Sequence, residues 1–123
     1  MAVVCEPRHA SWFVPAVDRE LSALRVGRAA ANPARCLEAA RPGGWMGPAG
    51  DGCGAVLYHR WHGEPRVYWS RYELQWLRAR ADELARWPQE AEHWCVFDNT
   101  ASGAAIGNAL EMHVMIAASR RSE

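Results

Sequence analysis

The feature that most constrains this chain is an alternation of short apolar runs with stretches of helical spacing. An apolar run at Met1–Cys5 is followed by Val14, Val17, Leu21 and Leu24, a stripe that predicts a helix over Pro15–Arg25. Val26–Ala31 reads as a second, weaker strand and Ala34–Ala40 as a short helical piece. Ala55–Trp61 reads as a third strand, and Leu74, Leu77, Ala81 and Leu84 mark the helix after it. His93–Asp98 is the fourth strand, and Ile106, Leu110, Val114 and Ala117 give the stripe of a last helix. Strand followed by helix, four times over, predicts an α/β fold with parallel strands and crossover helices.

Local chemistry sets the boundaries. Pro15 suits a first helical turn. Ser70-Arg71-Tyr72-Glu73 has the form of a capping box, Pro88 stops the helix that follows, and Ser102 suits the cap of the last one. Pro7 breaks strand pairing after Cys5. Arg41–Gly54 holds six glycines and two prolines and reads as a loop. A length of 123 residues allows one domain, taken as 1–118, with a polar tail at 119–123.

Charge and cysteine usage narrow the partners. Basic and acidic residues balance at 14 each, and every basic one is a dispersed Arg. No general attraction to nucleic acid or to an anionic membrane follows from that balance, and one defence against self-association is missing. Cys5, Cys36, Cys53 and Cys95 form no C-x-x-C pair and no zinc spacing. The first residues lack the basic and long apolar regions of a signal peptide, and no run approaches the roughly 18 apolar residues of a membrane helix. A reducing cytoplasm is the expected setting, with all four thiols free.

Each predicted strand ends in polar groups: Glu6, Arg8 and His9; Asn32; Arg60 and His62; Asp98 and Asn99. Parallel strands place those ends at one rim, where ligands bind in open sheets and barrels. Tyr58, Arg60 and His62 share parity, so one strand aims them together, and Gly63 lets the chain turn. Arg60 is assigned to anion or carboxylate binding, because its charged fork matches such groups. His62 is assigned to proton transfer. Glu6 orients Arg8 or Arg60, or else acts as a catalytic base. Arg8, Tyr58, Asp98 and Asn99 complete the binding set. Structural readings stand beside these: Glu6–Arg8 as a charge-paired scaffold, Arg60 in a purely structural network, Asp98-Asn99 as a cap and turn. A metal would need Glu6, His9, His62 and Asp98 to converge beside Arg8 and Arg60, which repel a cation, so no metal is expected. The sequence leaves the cofactor unknown.

The motifs also carry a resemblance. Glu6 to Trp12 reads E-x-R-H-x-S-W, and Tyr58 to Gly63 reads Y-x-R-x-H-G. Pro65-Arg66-Val67-Tyr68-Trp69-Ser70-Arg71-Tyr72, Phe97-Asp98-Asn99-Thr100, Gly103-Ala104 and Asn108-Ala109 follow in order. This set resembles the YecE-like proteins, domain-of-unknown-function family seventy-two. The resemblance implies a TIM-like (β/α) barrel, of which this chain matches the C-terminal half, strands five to eight. The family's activity is not established, and a relation to sugar isomerases rests on fold similarity alone. The expected ligand is small and polar, anionic or sugar-like. The expected partners are another copy or an N-terminal half.

Overall fold

The structure, a computed structural model, describes residues 1–121. It is mixed α/β. Strand β1 is Val3–Cys5, and helix α1, Pro15–Ala23, returns the chain to β2, Val26–Arg28. Only Ala29 separates β2 from β3, Ala30–Asn32. Strand β5, Val56–Trp61, leads to helix α2, Leu74–Ala85, then to β6, Glu92–Phe97, and to helix α3, Ala104–Arg121. Between β3 and β5 lies β4, the two-residue Gly43–Gly44.

Pairing is parallel for β1 with β2, for β3 with β5 and for β5 with β6. The stretch from Val26 to Asn32 serves both sheets, its first half beside β1 and its second beside β5. The Ala29 N–H, at the joint, donates to the Cys5 carbonyl at 2.8 Å. The four main strands therefore run one way and bring their carboxyl ends to a common rim.

Alternation along β5 decides which face is core. Leu57, His59 and Trp61 are buried beneath the helices, while Val56, Tyr58 and Arg60 face the other way. Trp61, Tyr72, Leu77, Ala81, Phe97 and Met112 make the main core, packed by Trp76 and Ile116 among others. Helix α2 presents Leu77 and Ala81 to it, as the helical stripe predicts. Arg28 ties β2 to α1 and to the turn that follows β3. It pairs with Asp18 of α1 at 3.3 Å and donates to the Glu38 and Arg41 carbonyls. Gly43 is small for that reason, since a Cβ there would lie 2.2 Å from the Arg28 guanidinium.

Four local expectations are corrected. The helical piece at Ala34–Ala40 is only a 3-10 turn, Glu38–Ala40, because the chain there is drawn across Arg28. Strand β4 pairs antiparallel with β2, inside the stretch expected to be loop. The capping box does not form. Glu73 is itself the N-cap, without a side-chain bond, and the Ser70 hydroxyl instead accepts the Arg66 N–H at 2.9 Å. The predicted stripe of the last helix faces outward: Ile106, Leu110 and Val114 are 72%, 62% and 63% exposed, while Asn108 and Met112 are buried. Helix α3 is apolar on several sides, so periodicity alone could not choose its buried face. Buried Asn108 decides it through hydrogen bonds that Ile or Leu cannot make.

Candidate functional site

The rim formed by the ends of β1, β5 and β6 gathers Glu6, Arg8, Arg60, His62 and Asp98. Arg60 lies at the end of β5 and the others just beyond their strands, and the parity of Arg60 and His62 along β5 puts both on the face away from the helices. Arg60 donates through Nε to Asp98 Oδ2 at 2.9 Å, and its Nη2 reaches the same oxygen. The Arg60 Nε also lies 3.7 Å from Glu6 Oε1. Arg8 Nη2 meets the other Glu6 oxygen at 2.9 Å. The hydrogen bond Arg60 donates to Asp98, with the Asp98 and Glu6 charges, raises the Arg60 pKa, so this guanidinium stays charged.

His62 sits between the two carboxylates. Its Nε2 is 3.4 Å from Glu6 Oε1 and its Nδ1 is 3.3 Å from Asp98 Oδ2. The ring is 5% exposed, and neither nitrogen makes a well-aligned hydrogen bond. Glu6 Oε1 is likewise buried without such a bond. Buried polar atoms left in this state cost free energy, and their usual partners are ligand or water. Gly63 makes the placement feasible: at φ +103° it turns the chain sharply just after His62.

A cavity of about 310 Å³ opens against Glu6 and His62. Arg8 and Arg35 line it together with Phe13, Val67 and Tyr68. Tyr68 stands edge-on to the His62 ring, with centroids 5.5 Å apart and planes at 88°. Its backbone is left-handed, φ +65°, an unusual conformation for a bulky residue that often marks functional loops. Sequence reasoning quoted Tyr68 in a motif without placing it in the site, and it missed Arg35. The available signal for Tyr68 was Gly63, whose turn folds the following loop back over His62.

Tyr58 shares the face of Arg60 and touches the cluster from below, while Asn99 stands apart from it. Tyr58 lines an open groove on the bare face of the sheet that shares Glu6 and Arg60 with the cluster. Asn99 is fully buried. Its amide donates to the Ser70 carbonyl and to Asn108 Oδ1, both at 2.9 Å. Asn108 in turn holds the Tyr72 backbone at both its N–H and its carbonyl, and the Tyr72 hydroxyl accepts the Gly63 N–H at 2.8 Å and donates to Asn32 Oδ1 at 2.7 Å. Asn99 therefore supports the loop from behind and does not face the cavity. His9 also stays outside, capping the short turn at Ala10–Trp12.

Among the described residues no group of three or more His, Cys, Asp or Glu is arranged to hold a metal ion. Geometry explains it at the rim: the two carboxylates approach opposite nitrogens of His62, and Arg60 fills the space between them. The cysteines are free, and burial pushes the Cys95 thiol up to about 12. No helix among the described residues is long and apolar enough to cross a membrane.

No curated protein and no solved structure matches this chain. A family model described as "Protein of unknown function DUF72" matches residues 1–123, the whole of it. The chain belongs to that family.

Proposed function

We propose that the four main strands are half of a TIM-like barrel, and that its rim binds a small anionic or sugar-like ligand on which Glu6 and His62 act by proton transfer. One observation carries this reading. Glu6 Oε1 and His62 Nε2 face each other at 3.4 Å, buried and without aligned hydrogen bonds, on the wall of a cavity flanked by Arg8 and Arg35. Proton transfer needs a carboxylate and an imidazole within reach of one substrate position. Arginine forks suit carboxylate or phosphate. Arg60, engaged by Asp98, holds the two carboxylates in place, while Arg35 and the donors of Arg8 that Glu6 leaves free meet the anion.

Isothermal titration with inorganic phosphate and a simple sugar phosphate tests the reading. Arg8→Ala and Arg35→Ala should each weaken phosphate binding by about tenfold, the scale of one charge-assisted contact. His62→Ala should retain binding and lose exchange of ligand C–H protons with solvent deuterium, followed by NMR. Binding unaffected in the arginine variants would refute the assignment.

A further inference from the structure

We propose that the crevice between α2 and α3, beside the start of β6, is a second binding site and takes a small aromatic carboxylate. The crevice is a cavity of about 270 Å³ that shares no residue with the rim cavity at Glu6 and His62. All its walls come from α2, the turn after it, β6 and α3. Leu84, Ala85 and Ile116 line it with apolar surface, and Trp87 gives it an aromatic wall. That indole is fixed in place. A Cβ at Gly52 would lie 3.1 Å from its ring, and it packs against His93 with centroids 5.8 Å apart and planes at 66°.

Two polar groups say what the apolar body must carry. His93 turns Nδ1 to His59 Nε2, 3.2 Å away, and its own Nε2 is buried with no hydrogen-bond partner. A buried nitrogen in that state costs free energy, and a ligand atom is one remedy. Arg120 lines the same cavity, is exposed, and makes no ion pair among the described residues. Burial, with the Arg120 charge, lowers the His93 pKa, so the ring is neutral near pH 7. When His59 donates to Nδ1, the His93 proton sits on Nε2 as a donor. A carboxylate accepts from that N–H and from the guanidinium fork together. Size sets the rest. An apolar protein cavity of about 150 Å³ takes benzene. The 270 Å³ here hold one ring and a short acidic arm. An inorganic anion would leave the apolar walls wet, and a hydrocarbon would leave His93 and Arg120 unanswered.

Isothermal titration of the 123-residue chain with phenylacetate is the test, beside its uncharged isostere phenylacetamide. Phenylacetate should bind saturably with Kd on the order of 1 mM or tighter, and the amide about tenfold more weakly. Nuclear Overhauser contacts should run from the ligand ring to Trp87 and Ile116. Arg120→Gln should weaken phenylacetate about tenfold and leave the amide unchanged. A cation in the last turn also steadies α3, so binding and not stability is the readout. Ala85→Phe, at an exposed position of α2, should fill the crevice and abolish binding with helical circular dichroism retained. Arg35→Ala, in the rim cavity, should leave the affinity unchanged. Absence of saturable binding would overturn the proposal, as would equal affinity for acid and amide. Binding lost in Arg35→Ala and retained in Ala85→Phe would do the same, because the anion would then sit at the rim.

Discussion

Acid should unfold this protein through His59, which lies on the helix-covered face of the sheet, opposite the candidate site. The ring is 7% exposed, and its Nε2 lies 3.2 Å from His93 Nδ1. Burial, with the neighbouring His93, lowers the His59 pKa to about 3, and burial lowers His93 as well. The sign follows from linkage. An unfolded histidine titrates near 6.5, so below that pH the unfolded chain takes up a proton the folded chain refuses. Stability is full above about pH 6.5 and is lost as pH falls toward 3. From pH 7 to pH 5 the loss from His59 alone is about 2 kcal/mol, and its limit at stronger acid is about 5 kcal/mol. His59→Gln keeps a hydrogen-bonding partner for His93 and cannot charge. Urea unfolding of both proteins at fixed concentration, at pH 7 and pH 5, isolates the term, because carboxylate contributions are common to both. The native protein should lose about 2 kcal/mol more than the variant over that interval. Equal losses in the two would refute the reasoning.

Leu77 is completely buried in the main core, so Leu77→Ala should cost about 2–5 kcal/mol in chemical denaturation. Tyr72→Phe removes the hydroxyl that joins the Gly63 N–H to Asn32, and should cost about 1–3 kcal/mol by the same measurement. The pKa of Tyr72, raised to about 12 by burial, should show as late phenolate absorbance in an alkaline titration. Cys95, also near 12, would be about one part in ten thousand thiolate at pH 8, and should be the last of the four cysteines to react with a thiol reagent.

Much of the fold was legible because the strands and α2 carry one unambiguous period each. The apolar run at β5 and the stripe through Leu77 and Ala81 leave one choice of face. Helix α3 was not legible in the same way. Its outward Ile106, Leu110 and Val114 make as good a stripe as its inward side, and the deciding residue, Asn108, looks like a surface amide until its partners are known. Ser70 misled for a related reason. Its spacing to Glu73 fits a cap, but the loop from Gly63 uses the hydroxyl first. At the site, parity and strand ends were enough to bring Glu6, Arg60, His62 and Asp98 to one place. They could not separate Asn99 from Asp98, adjacent residues at one strand end, of which one faces the cluster and the other supports the loop.

That separation has a physical pattern. The groups behind the rim are largely spent on the fold. Asn108 serves the Tyr72 backbone, Asn99 and Glu111, while Tyr72 serves Gly63 and Asn32. Asn99 gives its amide to Ser70 and Asn108 and leaves only its Oδ1 without a bond. The groups at the rim are held by charge but poorly matched in hydrogen-bond geometry, with Glu6 Oε1 and both His62 nitrogens unspent. Retaining those atoms costs stability that the same positions, filled by apolar residues, would not lose. The rigid amide network fixes Gly63, Gly63 fixes His62, and His62 is thereby kept in contact range of both carboxylates without closing a bond to either. Buried atoms without an aligned bond also occur away from this cavity, at Arg80, His93 and Asn99, so what distinguishes the rim is that Glu6 and His62 meet at a cavity wall.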